Sequence, residues 1–133
     1  MAMLETSSPT DHVTPEAART ELARFFTIAE TAERAPEMFS AYIDAEWHRL
    51  LGTPEYETLC RQAVGHGVGH RPDAGSGTPS WIAAYHERFG RLPAVWFAAA
   101  DGSVDTALRR DYLNGVPFVT AWDCTPTTND EDD

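Results

Sequence analysis

Three helix starts in this chain carry the same signal: Thr14-Pro15-Glu16, Thr53-Pro54-Glu55 and Thr78-Pro79. A threonine hydroxyl accepts from a first-turn N–H, and the proline that follows has its φ preset for a helix and no N–H to leave unpaired. An early glutamate complements the helix dipole. These steps predict a first helix from Pro15 to about Arg34, with Leu22, Phe25, Phe26 and Ala29 at helical spacing. They predict a third from Pro54 to about Val64, and a fourth from Thr78-Pro79 to Gly90 with Trp81, Tyr85 and Phe89 on one face. Between them, Pro36 opens a second helix that ends at Leu51, before Gly52. Its apolar stripe is Phe39, Tyr42, Ile43, Trp47 and Leu50.

Gly65-His66-Gly67-Val68-Gly69-His70 cannot sit inside a helix without a large backbone-entropy cost, so a loop is expected there, continuing through Arg71-Pro72 and Gly75-Ser76-Gly77. Beyond Gly90 the period changes. Ala94 to Ala99 is a short apolar run, Asp101-Gly102 a turn, and Asn114-Gly115 a hairpin signal before the β-prone Val116 to Trp122. The reading is an α+β fold of about four N-terminal helices followed by a small antiparallel β meander. Val104 to Leu113 has an alternative helical reading through Ala107-Leu108-Arg109-Arg110. Residues 1–13 read as a disordered arm, 14–124 as one globular domain and 125–133 as a disordered acidic tail.

The net charge of −11, part of it in Asp130-Glu131-Asp132-Asp133, leaves no basic stripe for a phosphate backbone. Nucleic acid and anionic membrane are therefore poor partners. No apolar run reaches the roughly 18 residues of a membrane span, and Met1-Ala2-Met3-Leu4-Glu5 lacks a secretion signal. A cytoplasmic location with Cys60 and Cys124 reduced is the expectation. Every basic residue is arginine, which excludes Schiff-base chemistry on lysine and a P-loop lysine.

Residues that bind metals or move protons crowd between Asp44 and His70. On the second helix His48 lies opposite the apolar stripe, with Asp44 one turn earlier and Ala41 and Ala45 beside it. Small residues on that back face invite a close neighbour, and the glycine-rich loop bearing His66 and His70 is the natural one. Cys60 comes from the adjacent helix. The leading expectation is one divalent transition metal held by His48, Cys60 and His70, with His66 or water completing the shell and Asp44 orienting His48. Mixed imidazole and thiolate favour Zn2+, with iron or copper behind it. An open position would support metal-dependent chemistry on a small molecule or peptide. The spacing of these residues matches no standard zinc-finger pattern.

Two other readings stand beside it. Trp47, Tyr56, Trp81, Tyr85 and Trp96 could form an aromatic groove in a non-catalytic module for a peptide or a basic protein partner. Alternatively, Cys60 could be a nucleophile with His48 or His70 as base and Asp44 as orienting group. It falls late in its helix, where the dipole disfavours a thiolate. Cys124, after the last expected strand, is either a further ligand or a plain strand-end residue.

The series Asp44, Trp47-His48, Tyr56, Cys60, Gly67, His70 and Pro72 resembles the D-x-x-W-H…Y-x-x-x-C…G…H-x-P core of the glycine-rich-domain-containing-protein-like family. Trp81, Tyr85, Phe89-Gly90, Leu92-Pro93 and Trp96-Phe97 also look like a segment of small actinobacterial proteins. The resemblance covers about residues 39 to 98 and implies that Asp44, Trp47, His48, Tyr56, Cys60 and His70 form the motif, leaving His66 outside it. Many members carry a second histidine where Leu50 stands here, and the long glycine-rich region is missing. The family implies no particular reaction.

Overall fold

The computed structural model describes residues 12–127. In chain order the elements are α1 (Pro15–Ala29), α2 (Ala41–Leu50), α3 (Pro54–Val64), β1 (Gly69–Gly77), α4 (Ile82–Phe89), a 3-10 turn (Ala94–Phe97), α5 (Thr106–Leu113) and β2 (Thr120–Thr127). Among the described residues, five helices and one two-stranded antiparallel sheet make an α+β fold. The arm expected at 1–13 lies outside the described residues except for His12 and Val13, and so do residues 128–133 of the expected tail.

Thr14 and Thr53 cap α1 and α3 as expected, accepting from Ala17 N and Tyr56 N, and α3 keeps its expected bounds. Helix α1 is shorter than its expected reach to Arg34, ending at Ala29. Helix α2 starts later than Pro36 because tertiary partners have claimed the backbone there. Met38 N donates to Cys124 O, and Glu37 O accepts from Trp81 Nε1. Ser40 then takes the cap, accepting from Ile43 N while its own hydroxyl donates to Val95 O. The fourth helix is displaced for the same reason: Thr78 Oγ1 donates to Phe118 O, and Ser80 N to Glu37 Oε1, so α4 begins at Ile82.

The β meander is the main correction. Ala94–Phe97 is a 3-10 turn, and the helical alternative for Val104 to Leu113 holds as α5. Asn114-Gly115 caps α5 instead of turning a hairpin: Asn114 N donates to Arg110 O, and Gly115 takes φ 76°. The positive φ that suits a type I′ turn suits a helix end equally well. Only the Asp101-Gly102 turn survives, closed by a single bridge between Ala98 and Val104.

The remaining sheet joins segments far apart in sequence. β1 is the expected glycine-rich loop, and it pairs antiparallel with β2, His70 opposite Pro126 and Pro72 opposite Cys124. An irregularity between Pro72 and Gly75 precedes the pairing of Gly75 with Trp122. Thr125 to Thr127, expected in the tail, complete β2.

The core is aromatic. Phe25 meets Trp47, Trp81 and Trp96 at ring separations of 6.2, 5.3 and 5.6 Å. Trp47, Trp81, Tyr85 and Trp96 are at most 2% exposed, so they present no groove to a peptide. Their polar ends are satisfied inside. Glu21 Oε1 accepts from both the Tyr85 hydroxyl and Trp96 Nε1, and Arg24 donates to Glu21 Oε2. Burial and the Glu21 carboxylate push the Tyr85 hydroxyl pKa up, keeping it a donor.

Candidate metal centre

The α2 stripe buries Ile43, Trp47 and Leu50 against α1. By the helical step, this turns Asp44 and His48 outward together. Ala41 and Ala45 stay exposed on that face, and the β ribbon meets it beside Asp44. His70 and Cys124 reach it from the two strands. Since Pro72 opposes Cys124 and His70 opposes Pro126, His70 and Cys124 share one sheet face as diagonal neighbours.

Three anchors fix this approach. Tyr56 links α2, α3 and the entry to β1, accepting from Trp47 Nε1 at 3.0 Å and donating to Val68 O at 2.6 Å. The Trp47 ring stands perpendicular to the His70 ring, centroids 4.6 Å apart. Cys124 is held between strands, paired with Pro72 on one side and bridged to Met38 on the other.

Asp44, His48, His70 and Cys124 each offer one ligand atom to a group in which all lie within 4.8 Å of one another. Asp44 Oδ2 is 3.8 Å from His48 Nδ1 and 4.0 Å from Cys124 Sγ, while Oδ1 is 3.9 Å from His70 Nε2. Bonds of about 2.0–2.3 Å to one tetrahedral ion put ligand atoms roughly 3.3–3.7 Å apart, so modest side-chain movement closes this set around a metal. Asp44 Oδ1 is buried and accepts no hydrogen bond from a described residue. That is a costly state for a carboxylate oxygen and one that a cation would relieve.

The electrostatics agree. Burial raises the Asp44 pKa, and the Asp123 charge adds to this; His48 and His70 oppose it, as does the Cys124 thiol. Burial likewise pushes the Cys124 thiol up to about 12, helped by the Asp44 carboxylate in contact with it. Without a cation the thiol stays protonated. His48 is half-exposed, whereas His70 and Cys124 are buried, so the site opens past His48.

Of the expected ligands, His48 and His70 belong to this group and Cys60 and His66 do not. Cys60 is 1% exposed and packed in the core, where it offers no ligand atom to the group and no access to a substrate. His66 turns the other way, its Nδ1 at 2.7 Å from Gly67 O and its Nε2 at 3.0 Å from Glu30 Oε2. Asp44, expected only to orient His48, stands within ligand distance itself. Cys124 takes the thiol position assigned to Cys60. Its residue type is the signal the sequence carries for it, because the pairing of its strand with the glycine-rich segment is non-local.

No known relative fixes the site's role. No family model matches the chain, no curated protein matches it and no solved structure matches it. Among the described residues, no helix is long and apolar enough to cross a membrane.

Proposed function

We propose that the protein binds one zinc ion through Asp44, His48, His70 and Cys124. The observation that carries this reading is the convergence of four ligand atoms from α2, β1 and β2 within 4.8 Å, one of them a buried carboxylate oxygen that accepts no hydrogen bond from a described residue. Two imidazoles, one thiolate and one carboxylate suit zinc better than magnesium or calcium, which prefer an all-oxygen shell. Two anionic ligands also neutralise a divalent ion, so the ion and the buried charges compensate each other. Asp44 and His48 line a cleft beside the site, so a small molecule could approach the ion, and metal-assisted chemistry on it would require the four-ligand shell to accept a fifth ligand.

Elemental analysis of protein purified without a histidine tag tests the assignment. One equivalent of zinc is expected in the wild type, in Cys60→Ser and in His66→Ala. Cys124→Ser and His70→Ala are expected to lose it. Retention of full zinc by both of the latter would sink the proposal.

The metal-free cysteine–histidine enzyme has little support. Cys60 is sealed in the core, and Cys124 is protonated beside a carboxylate.

A further inference from the structure

The cleft beside the site has a volume of about 280 Å³. Asp44 and His48 line it, together with Phe39, Ala45, Ala121 and Trp122. It lies just below the roughly 300–1,000 Å³ of drug-sized pockets, so it suits a smaller molecule. Met38, Phe39, Trp122 and the alanines give it an apolar side that favours a flat apolar body, while Asp44, His48 and Asp123 make the rest of its lining polar.

Trp122 is held in place by Gly75. The two residues are paired across the ribbon, and a Cβ at Gly75 would stand 3.0 Å from the indole Nε1 and 3.1 Å from two ring carbons. The indole can therefore pack this closely on the β1 backbone only because position 75 has no side chain. Trp122 also shares its sheet face with Cys124, two residues on, so it borders the ligand group.

The charge of the site selects the other end of the ligand. A divalent ion with Asp44 and the Cys124 thiolate sums to zero, so nothing remains to attract an anion. The Asp123 carboxylate itself lines the cleft. Its negative field repels carboxylates and phosphates from the cleft mouth and draws in cations.

We propose that this cleft binds a small aralkylamine-like molecule, its flat apolar body against Trp122 and its nitrogen directed to Asp44 and His48. The proposal rests on the metal reading above, since the nitrogen is to meet the ion there. Zinc tolerates a fifth ligand, and a neutral amine nitrogen suits it once the ammonium proton has gone to solvent.

Cobalt(II) replaces zinc as a visible probe, and benzylamine and benzoate serve as ligands of like size and opposite charge. Cobalt-loaded wild type is expected to show thiolate charge-transfer and visible bands. Benzylamine should shift the visible bands saturably, at a concentration at least about tenfold below any benzoate response. Trp122→Ala and the cleft-filling Ala45→Leu should keep the cobalt bands and lose the benzylamine shift. A benzoate response equal to or stronger than that of benzylamine overturns the proposal. So does the absence of any response, or an undiminished shift in both variants. If the wild type shows no cobalt bands at all, the metal reading fails and the ligand proposal with it; intact bands with the wrong ligand response sink the ligand proposal alone.

Discussion

Cys124 lies diagonally across the β ribbon from His70, on the face turned toward α2, and its Sγ sits 4.0 Å from Asp44 Oδ2. The thiol belongs to the last strand and the carboxylate to the second helix, so a metal bound between them would also act as a clamp. A two-stranded ribbon alone is marginal in water, and seven of the nine β1 residues are at least partly exposed. A metal bridging α2, β1 and β2 would tie the ribbon to the helices.

Zinc is therefore expected to stabilise the fold. At a free concentration about 100 times Kd, mass action contributes about 2.7 kcal/mol. For a domain of this size that corresponds to a rise in Tm of roughly 10 °C. Differential scanning calorimetry with and without a strong chelator measures it. An unchanged Tm in a sample proven to hold zinc would show that the ribbon needs no clamp.

Asp44→Asn should have opposite effects on the two forms. Burial raises the folded pKa of Asp44, so the folded state binds the proton more tightly than the unfolded chain. Its ionisation thus costs stability as pH rises through the unfolded carboxylate range near 4. The metal-free variant should be more stable than the metal-free wild type at pH 7, the difference vanishing below that range. Zinc affinity should fall. Urea unfolding at pH 7 and pH 3.5, with a zinc competition titration, separates the two effects.

Metal-free Cys124 should alkylate slowly. With the thiol pushed up to about 12, roughly one molecule in 10⁵ carries the thiolate at pH 7. Iodoacetamide labelling followed by mass spectrometry should find Cys124 far slower than a free thiol in the unfolded chain. Rapid labelling of the folded protein would revive a nucleophilic role.

Tyr56→Phe removes the acceptor of Trp47 Nε1 and the donor to Val68 O together. Leaving a buried indole N–H unpaired costs about 1–3 kcal/mol. Because the same hydroxyl fixes the entry to β1, His70 should lose its position as well. Denaturant unfolding and zinc affinity should both weaken. A loss of stability with unchanged affinity would mean that the Trp47 ring alone orients His70.

Glu46 gives the acid dependence of the helical part. Hydrogen bonds from Arg49 hold its carboxyl below the usual range, with Arg19 adding to the effect. Its folded pKa is lower than its unfolded one, so the stabilisation is present above the unfolded value and is lost as pH falls through the folded value. Arg49 is half-exposed, so the gain is small. Glu46→Gln should flatten the slope of stability against pH below about pH 5, read from urea midpoints at a series of acidic pH values.

Local chemistry along the chain determined a great deal. Thr14, Thr53 and their prolines set the starts of α1 and α3, because a cap hydroxyl and a preset φ act within one turn. The α2 stripe placed Asp44 and His48 together on its back face, since helical periodicity alone decides which side chains share a side. Where an N–H or carbonyl found a distant partner, the local signal gave way. Pro36 did not open α2 because Met38 N went to Cys124 O. The Asn114-Gly115 pair ended a helix, as a positive φ serves either purpose.

The four-residue group needed more than that. His48, His70 and Asp44 were legible as a cluster because they lie on one helix and the loop thought to cover it. Which cysteine faced them was not, because a thiol's environment depends on which segment pairs with which. Strand pairing is non-local: the glycine-rich β1 has little sequence pattern of its own and becomes a strand only when β2 comes back to it. That return brings Cys124 to Asp44, while Cys60 is buried in the core and His66 meets Glu30. The sequence by itself determined the ligand types and the helix face that displays two of them. Only the tertiary structure decided the remaining pair, since register across a ribbon, not spacing along the chain, sets which side chains meet.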